Sequence, residues 1–193
     1  MSWPLASCLA LLLLTMLPAQ AADYRIDPAR SHADFGVRLF WLSQINGRFE
    51  QIDGDVTLST QHDTAIVDAR IGVESIHMGS ERIRRWVLAP EFFDAARFPS
   101  IHFISDPISL AMLEKGGGLD GTLTLRGVTK PAHFEVLPSH CPLDTPQQCV
   151  ISVRGTIQRS DFGMSNHRTA ISDQVQLGMM ISLDYPTRSA ATD

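Results

Sequence analysis

Proton transfer and metal binding near neutral pH fall first to histidine, and this chain has seven: His32, His62, His77, His102, His133, His140 and His167. They stand singly, with no HxH or HxxxH pair, and there is no HExxH helix, GxSxG elbow or Walker loop. Histidines scattered in this way are polar-face residues rather than ligands. Asp53-Gly54-Asp55 has the opening of a calcium loop but lacks the later glycine and terminal glutamate of an EF-hand, so it reads as a turn. Met164, Met179 and Met180 offer soft sulfur, yet Met179 falls on an alternating strand face where thioethers fill core. No catalytic residue and no metal ligand is assigned, and the chain is not expected to be an enzyme.

The cysteines are read with the N-terminus. Leu9–Leu17 is an apolar run followed by Pro18 and the small-x-small triplet Ala19-Gln20-Ala21, the pattern of a secretory signal peptide cleaved after Ala21. Even counted from Leu5 the run is about 13 residues, short of the roughly 20 needed to cross a bilayer, so no stable membrane span is expected. Cys8 ends a lipobox-like Leu5-Ala6-Ser7-Cys8, but that tetrad precedes the apolar run it should follow. Residues 1–21 are thus expected to leave, and 22–193 to form one periplasmic or secreted domain. Two cysteines then remain, Cys141 and Cys149. An even count in an exported chain points to a disulfide. In the chain-entropy model a loop this short contributes about 2.5 kcal/mol. The net charge of −5 is mild and no long basic run occurs, so a nucleic-acid partner is not expected.

The elements that would carry a site follow from hydrophobic period. Ala33, Phe35, Val37 and Leu39 alternate with polar residues, as do Ala65, Val67, Ala69, Ile71 and Val73, and again Val175, Leu177, Met179, Ile181 and Leu183. One buried and one wet face means antiparallel sheet. Further strands are expected at 49–58, 100–105, 121–126, 132–136 and 150–158, with Gly127 beginning a hairpin turn and Pro131 at a strand start. Ser80–Ala89 is the expected helix, stopped by Pro90, and Glu91–Ala96 a second short turn. Residues 108–115 fit either a helix or a hairpin arm. About eight such strands close into a barrel or stack as a sandwich, and period alone does not choose.

Glu91–Phe103 holds four of the nine phenylalanines. Pro99 pushes Phe98 towards extended backbone, and Ile101 and Phe103 share one strand face. Rings at one end of such a sheet are either plugs or the mouth of an apolar cavity. The candidate lining is Phe35, Val37, Leu39 and Phe49 on early strands, and Trp86, Phe92, Phe93 and Phe98 around the helix. Ile101, Phe103, Leu123, Leu125 and Phe134 complete it on later strands.

These segments together resemble the YceI family of exported polyisoprenoid-binding proteins. The resemblance rests on Tyr24-Arg25-Ile26-Asp27, Phe35-Gly36-Val37, Gly47-Arg48-Phe49, Pro90-Glu91-Phe92-Phe93-Asp94 and Phe98–Phe103. It continues through Gly121–Pro131, Arg159–Met164 and Ile171–Val175. It implies an all-β, eight-stranded antiparallel lipocalin-like barrel with one or two short helices. An isoprenoid, a quinone-type lipid, or a fatty amide or acid would lie inside, with no cofactor required. It further implies a periplasmic or secreted location and a homodimer. Where the family carries histidines this chain has Arg30, Leu39 and Trp86, which implies a different head-group recognition from typical members wherever those positions face the ligand.

Overall fold

Each alternating run forms a strand that pairs with the next in the chain. The computed structural model describes residues 22–40, 43–59, 63–139, 149–167 and 169–184. Residues 1–21, His62, His140 and Cys141 lie outside them. β1 (Ala22–Ile26) leads across a bend into β2 (His32–Leu39), and β3 (Ser43–Phe49) likewise into β4 (Ile52–Ser59). β5 (Thr64–Gly72) runs through a single 3-10 turn into β6 (Ile76–Met78). β1 pairs with β4 and β2 with β3; β4 pairs with β5 and β3 with β6. The six segments are therefore three long, bent strands.

Helix α1 (Glu81–Leu88) follows, then β7 (Ser100–Ser105) on β5, and the short β8 (Ile108–Ser109), also on β5. A one-turn helix, α2 (Met112–Lys115), leads into β9 (Gly117–Leu125), which pairs with β7. β10 (Val128–Val136), β11 (Val150–Gln158) and β12 (Ile171–Asp184) continue the meander, each antiparallel to its predecessor. β12 then pairs with both β1 and β2. With each bent pair counted once, eight antiparallel strands close into an up-and-down, lipocalin-like barrel. Closure of the last strand on the first removes the edges an open sheet would leave unpaired.

Several local devices bend the staves. Between β1 and β2, Asp27 accepts hydrogen bonds from the Ala29 amide (2.8 Å) and from Arg30 Nε. The buried Ser31 hydroxyl accepts from the Ser182 amide at 3.0 Å. This corner lets the first strand spend more residues than β12 and moves its inner face from the even positions Tyr24 and Ile26 to the odd positions Ala33, Phe35 and Val37. At the β9–β10 turn, Arg126 and Gly127 have φ of 51° and 70°, the left-handed pair that a two-residue hairpin demands.

Some sequence expectations need correction. The strand expected over 49–58 is broken at 50–51. Asp53-Gly54-Asp55 lies within β4 rather than in a turn: a Cβ on Gly54 would fall 2.0 Å from the Asp68 carbonyl, so only glycine lets the strands approach there. Pro131 is inside β10, not at its start. Pairing with β11 begins only at Phe134, so the missing N–H costs no ladder bond. Residues 108–115 are both alternatives at once, a short strand and then a helical turn. Ser80 occupies the N-cap of α1, but its hydroxyl makes no capping bond.

Candidate functional site

The inner faces of the strands do not meet. They surround an apolar cavity of about 210 Å³. Its wall is built by parity: Ala33, Phe35 and Val37 from β2, Val67, Ala69 and Ile71 from β5, Ile101 and Phe103 from β7, Leu119, Leu123 and Leu125 from β9, and Val175 to Leu183 at alternate positions of β12. Two wall rings have a special support. Phe35 lies over its cross-strand partner Gly47 and Phe134 over Gly155; a Cβ on either glycine would sit 2.4 Å from the ring. Glycine opposite an aromatic lets the ring lie flat along the wall instead of standing into the lumen.

Both ends are capped. At one end α1 and the turns after it contribute Trp86, Val87, Phe92 and Phe93. Phe93 packs edge-on against Phe49 (5.6 Å) and Phe35 (6.2 Å), and Trp86 against Phe92 (4.5 Å). The His167 ring stacks on Phe92 at 6.2 Å with 12° between planes. Polar bonds pin the same cap: Arg84 donates to the carbonyls of Ile76 and Glu74 at 2.8 Å, and Arg126 to those of Pro90 (3.0 Å) and Gly163 (2.9 Å). At the other end Ile108, Leu110 and Leu113 close over the lumen.

Charge is nearly absent from the lining. Asp34 contributes to it, but its carboxylate turns outward to accept from Arg48 at 2.7 and 3.0 Å. Arg159 is buried at the rim and spends its guanidinium on the carbonyls of Ser172 (3.0 Å), Ile171 (3.1 Å) and Met164, so it fastens the corner between β11 and β12. Arg30 holds the Asp27 carboxyl below its ordinary range, and Arg154 does the same for Glu135. Both carboxyls lie outside the lumen. Among the described residues no three His, Cys, Asp or Glu side chains converge as a metal set. The thioethers part: Met164 and Met179 line the cavity, and Met180 faces outward. Gly116–Gly121 has the letters GxGxxG, but it runs into strand β9 instead of opening a helix, so no phosphate cradle forms there.

Of the candidate lining residues, Phe35, Val37, Phe49, Trp86, Phe92, Phe93, Ile101, Phe103, Leu123, Leu125 and Phe134 surround the cavity. Leu39 and Phe98 do not. Leu39 has the right parity but sits at the last position of β2, paired with Ile171 beyond a register shift in β12. Phe98 is turned to the β9–β10 hairpin, where its ring meets Gly127 and lies under the Arg97 guanidinium at 5.1 Å. Sequence parity missed the caps Leu110, Leu113 and Met164, which lie outside regular strands. The i,i+3 spacing of Leu110 and Leu113 was their available signal.

The YceI-like domain model matches residues 24–183, the full circuit of the barrel. The chain belongs to the YceI family. Proteins named YceI from Salmonella arizonae and Salmonella paratyphi B are each 30% identical to it over 177 residues, covering 88% of this chain and 90% of theirs. Among solved structures, BcnA of Burkholderia cenocepacia superposes with a TM-score of 0.68 at 19% identity, over 82% of this chain and 99% of that one. A polyisoprenoid-binding domain from Saccharophagus degradans gives 0.63 at 17% identity, over 86% and 100%. The eight-stranded closure and the carbon-lined lumen found here are the YceI barrel. No helix among the described residues is long and apolar enough to cross a membrane.

Proposed function

We propose that this YceI-family chain is an exported binding protein that holds a long-chain isoprenoid or similar amphiphile (polyprenyl, quinone-type, or fatty amide or acid) inside the barrel, for transport, storage or sensing. One observation carries the reading: the lumen is open space walled by carbon and capped at both ends. Voids lined by aliphatic and aromatic groups, on the order of 150 Å³, stay dry and accept apolar guests. A guest restores the dispersion contacts that the lining forgoes when empty. Each methylene taken from water contributes about 0.8 kcal/mol, so affinity needs no ion pair, and cavity shape selects chain length and branching.

No reaction is assigned to the site, because its lining among the described residues is almost wholly carbon and the buried Arg159 is spent on backbone carbonyls. In this reading 1–21 is a signal peptide removed near Ala21, 22–193 is the mature periplasmic or secreted domain, Cys141 and Cys149 are joined, and two copies associate. The apolar cavity residues named above are its ligand contacts.

Native mass spectrometry of protein purified from cells without detergent tests the proposal. A co-purifying lipid, or stoichiometric uptake of added geranylgeraniol, is the expected result. Protein that emerges empty and stays empty at saturating geranylgeraniol would overturn it.

A further inference from the structure

Phe40 is the most exposed large hydrophobic residue among those described, at 63%. It stands at the tip following β2 with φ of 48°, a left-handed conformation that favours glycine or asparagine and disfavours a bulky ring. A ring that is both strained and wet gains no burial from the fold, and such an outlier points to a function.

Its surroundings say what. Phe40 donates its amide to the Ala170 carbonyl at 2.8 Å, and the Ala170 amide donates to the His167 carbonyl at 3.0 Å. The His167 ring lies 5.6 Å from Trp86, a lining residue of the helix-side cap. Phe40 is thus on the rim of that capped end, connected to it by direct contacts. Exposed cations share the end: Arg38 two residues before it, Arg82 and Arg85 on α1, and Lys130 just past the β9–β10 turn. Glu81, Glu91 and Asp161 offset them only in part, on a chain whose net charge is −5.

We propose that the helix-side end of the barrel docks on an anionic lipid bilayer, with Phe40 entering the headgroup boundary and the arginines meeting lipid phosphates. The inference rests on the lipid-carrier reading, since the cap then faces the phase that supplies the guest. A single ring flanked by arginines fits a bilayer, where aromatic insertion and electrostatic attraction add. Among the described residues it is too small an apolar patch for a stable protein interface, which needs about 800 Å² from each partner.

The test is flotation of the mature protein with phosphatidylcholine vesicles, with and without phosphatidylglycerol. Moving one phenylalanine out of water is worth about tenfold or more in partitioning. Wild type is expected to float with the anionic vesicles and to be released by high salt. Phe40→Asn, which tolerates the left-handed backbone, should weaken flotation about tenfold. Arg82→Gln combined with Arg85→Gln should weaken it by about thirtyfold or less, at up to about fivefold for each charge. Protein that remains unbound at every anionic fraction, or flotation indifferent to both variants, overturns the docking. Uptake of geranylgeraniol delivered from ethanol is measured in parallel on the same variants. Normal uptake without flotation sinks the docking alone, whereas absent uptake in wild type sinks the carrier reading whatever the vesicles show.

Discussion

Phe93 stands edge-on to Phe49, with ring centroids 5.6 Å apart and planes at 83°, and this contact ties the helix-side cap to the barrel wall. The cap is tied further by Phe93 on Phe35, by the His167 ring on Phe92, and by the Arg84 and Arg126 bonds to backbone carbonyls. The arginine bonds fix its backbone and leave Phe93 to fill the space beneath. Phe93→Ala should therefore lower unfolding stability by about 2 kcal/mol, below the roughly 3–5 kcal/mol of a fully buried phenylalanine because the ring is only half buried. It should also speed release of a bound fluorescent fatty acid severalfold. Urea melts and stopped-flow displacement check both. Unchanged release would mean that guests leave by the Leu110–Leu113 end.

Filling the lumen separates binding from folding. Ala69 projects from β5 into the cavity with open space before it. Ala69→Phe should weaken geranylgeraniol uptake at least tenfold while leaving the melting temperature equal or higher. Added carbon in a void gains contacts, whereas the same carbon in a packed core costs about 1–3 kcal/mol. A destabilised variant that still takes up lipid would show that guests bind elsewhere.

The strands were legible because alternation is local: Val175 to Leu183 read as one inner face, and that is where they lie. Closure was not legible, since it depends on β12 meeting β1 and β2 across the length of the chain. The bend at 27–31 that keeps both halves of the first strand in register is made by Asp27, Ser31 and their partners, not by an apolar pattern. Parity failed at the rim for the same reason. Leu39 continues the count of Phe35 and Val37, but the wall ends before it. Phe98 obeys its proline yet is drawn to the bare Gly127 backbone. The caps lie outside period-two segments, so only the concentration of rings around Trp86–Phe93 signalled one of them.

Cys149 is buried immediately before β11, and Cys141 lies outside the described residues. If the pair is joined as proposed, intact mass of the unreduced protein falls two hydrogens below the dithiol value. Cys141→Ser should then lower stability by about 2.5 kcal/mol. Reductant should lower the wild-type unfolding free energy from urea melts by the same amount, and a midpoint indifferent to reductant would remove the bridge.

Asp27 gives the corner between β1 and β2 a pH dependence. The Arg30 side-chain hydrogen bond holds its carboxyl below the ordinary value of 3.8, with the Ala29 amide adding to the effect against burial. A carboxyl depressed in the folded state stabilises above its unfolded pKa, and the contribution disappears as pH falls through the folded one. Asp27→Asn should accordingly cost about 1 kcal/mol at pH 7, and the gap to wild type should close over the acid window below the ordinary value of 3.8. Parallel urea titrations across that window check it. A gap that persists in acid would mean that the side chain acts by shape alone.

Gly155 tests how the wall keeps its rings out of the lumen. Phe134 lies flat over it, and a methyl at Gly155 would sit 2.4 Å from the ring. Neither the ring nor the paired backbone can absorb that approach in place, so Gly155→Ala must swing Phe134 inward, where it also presses on Phe103, now 5.3 Å away edge-on. The swing should cost about 1–3 kcal/mol and shorten the longest chain the barrel accepts. Uptake measured over a series from geraniol to geranylgeraniol should then lose its longest members first. Uniform weakening across the series would instead place the guests away from Phe134, at the opposite side of the lumen.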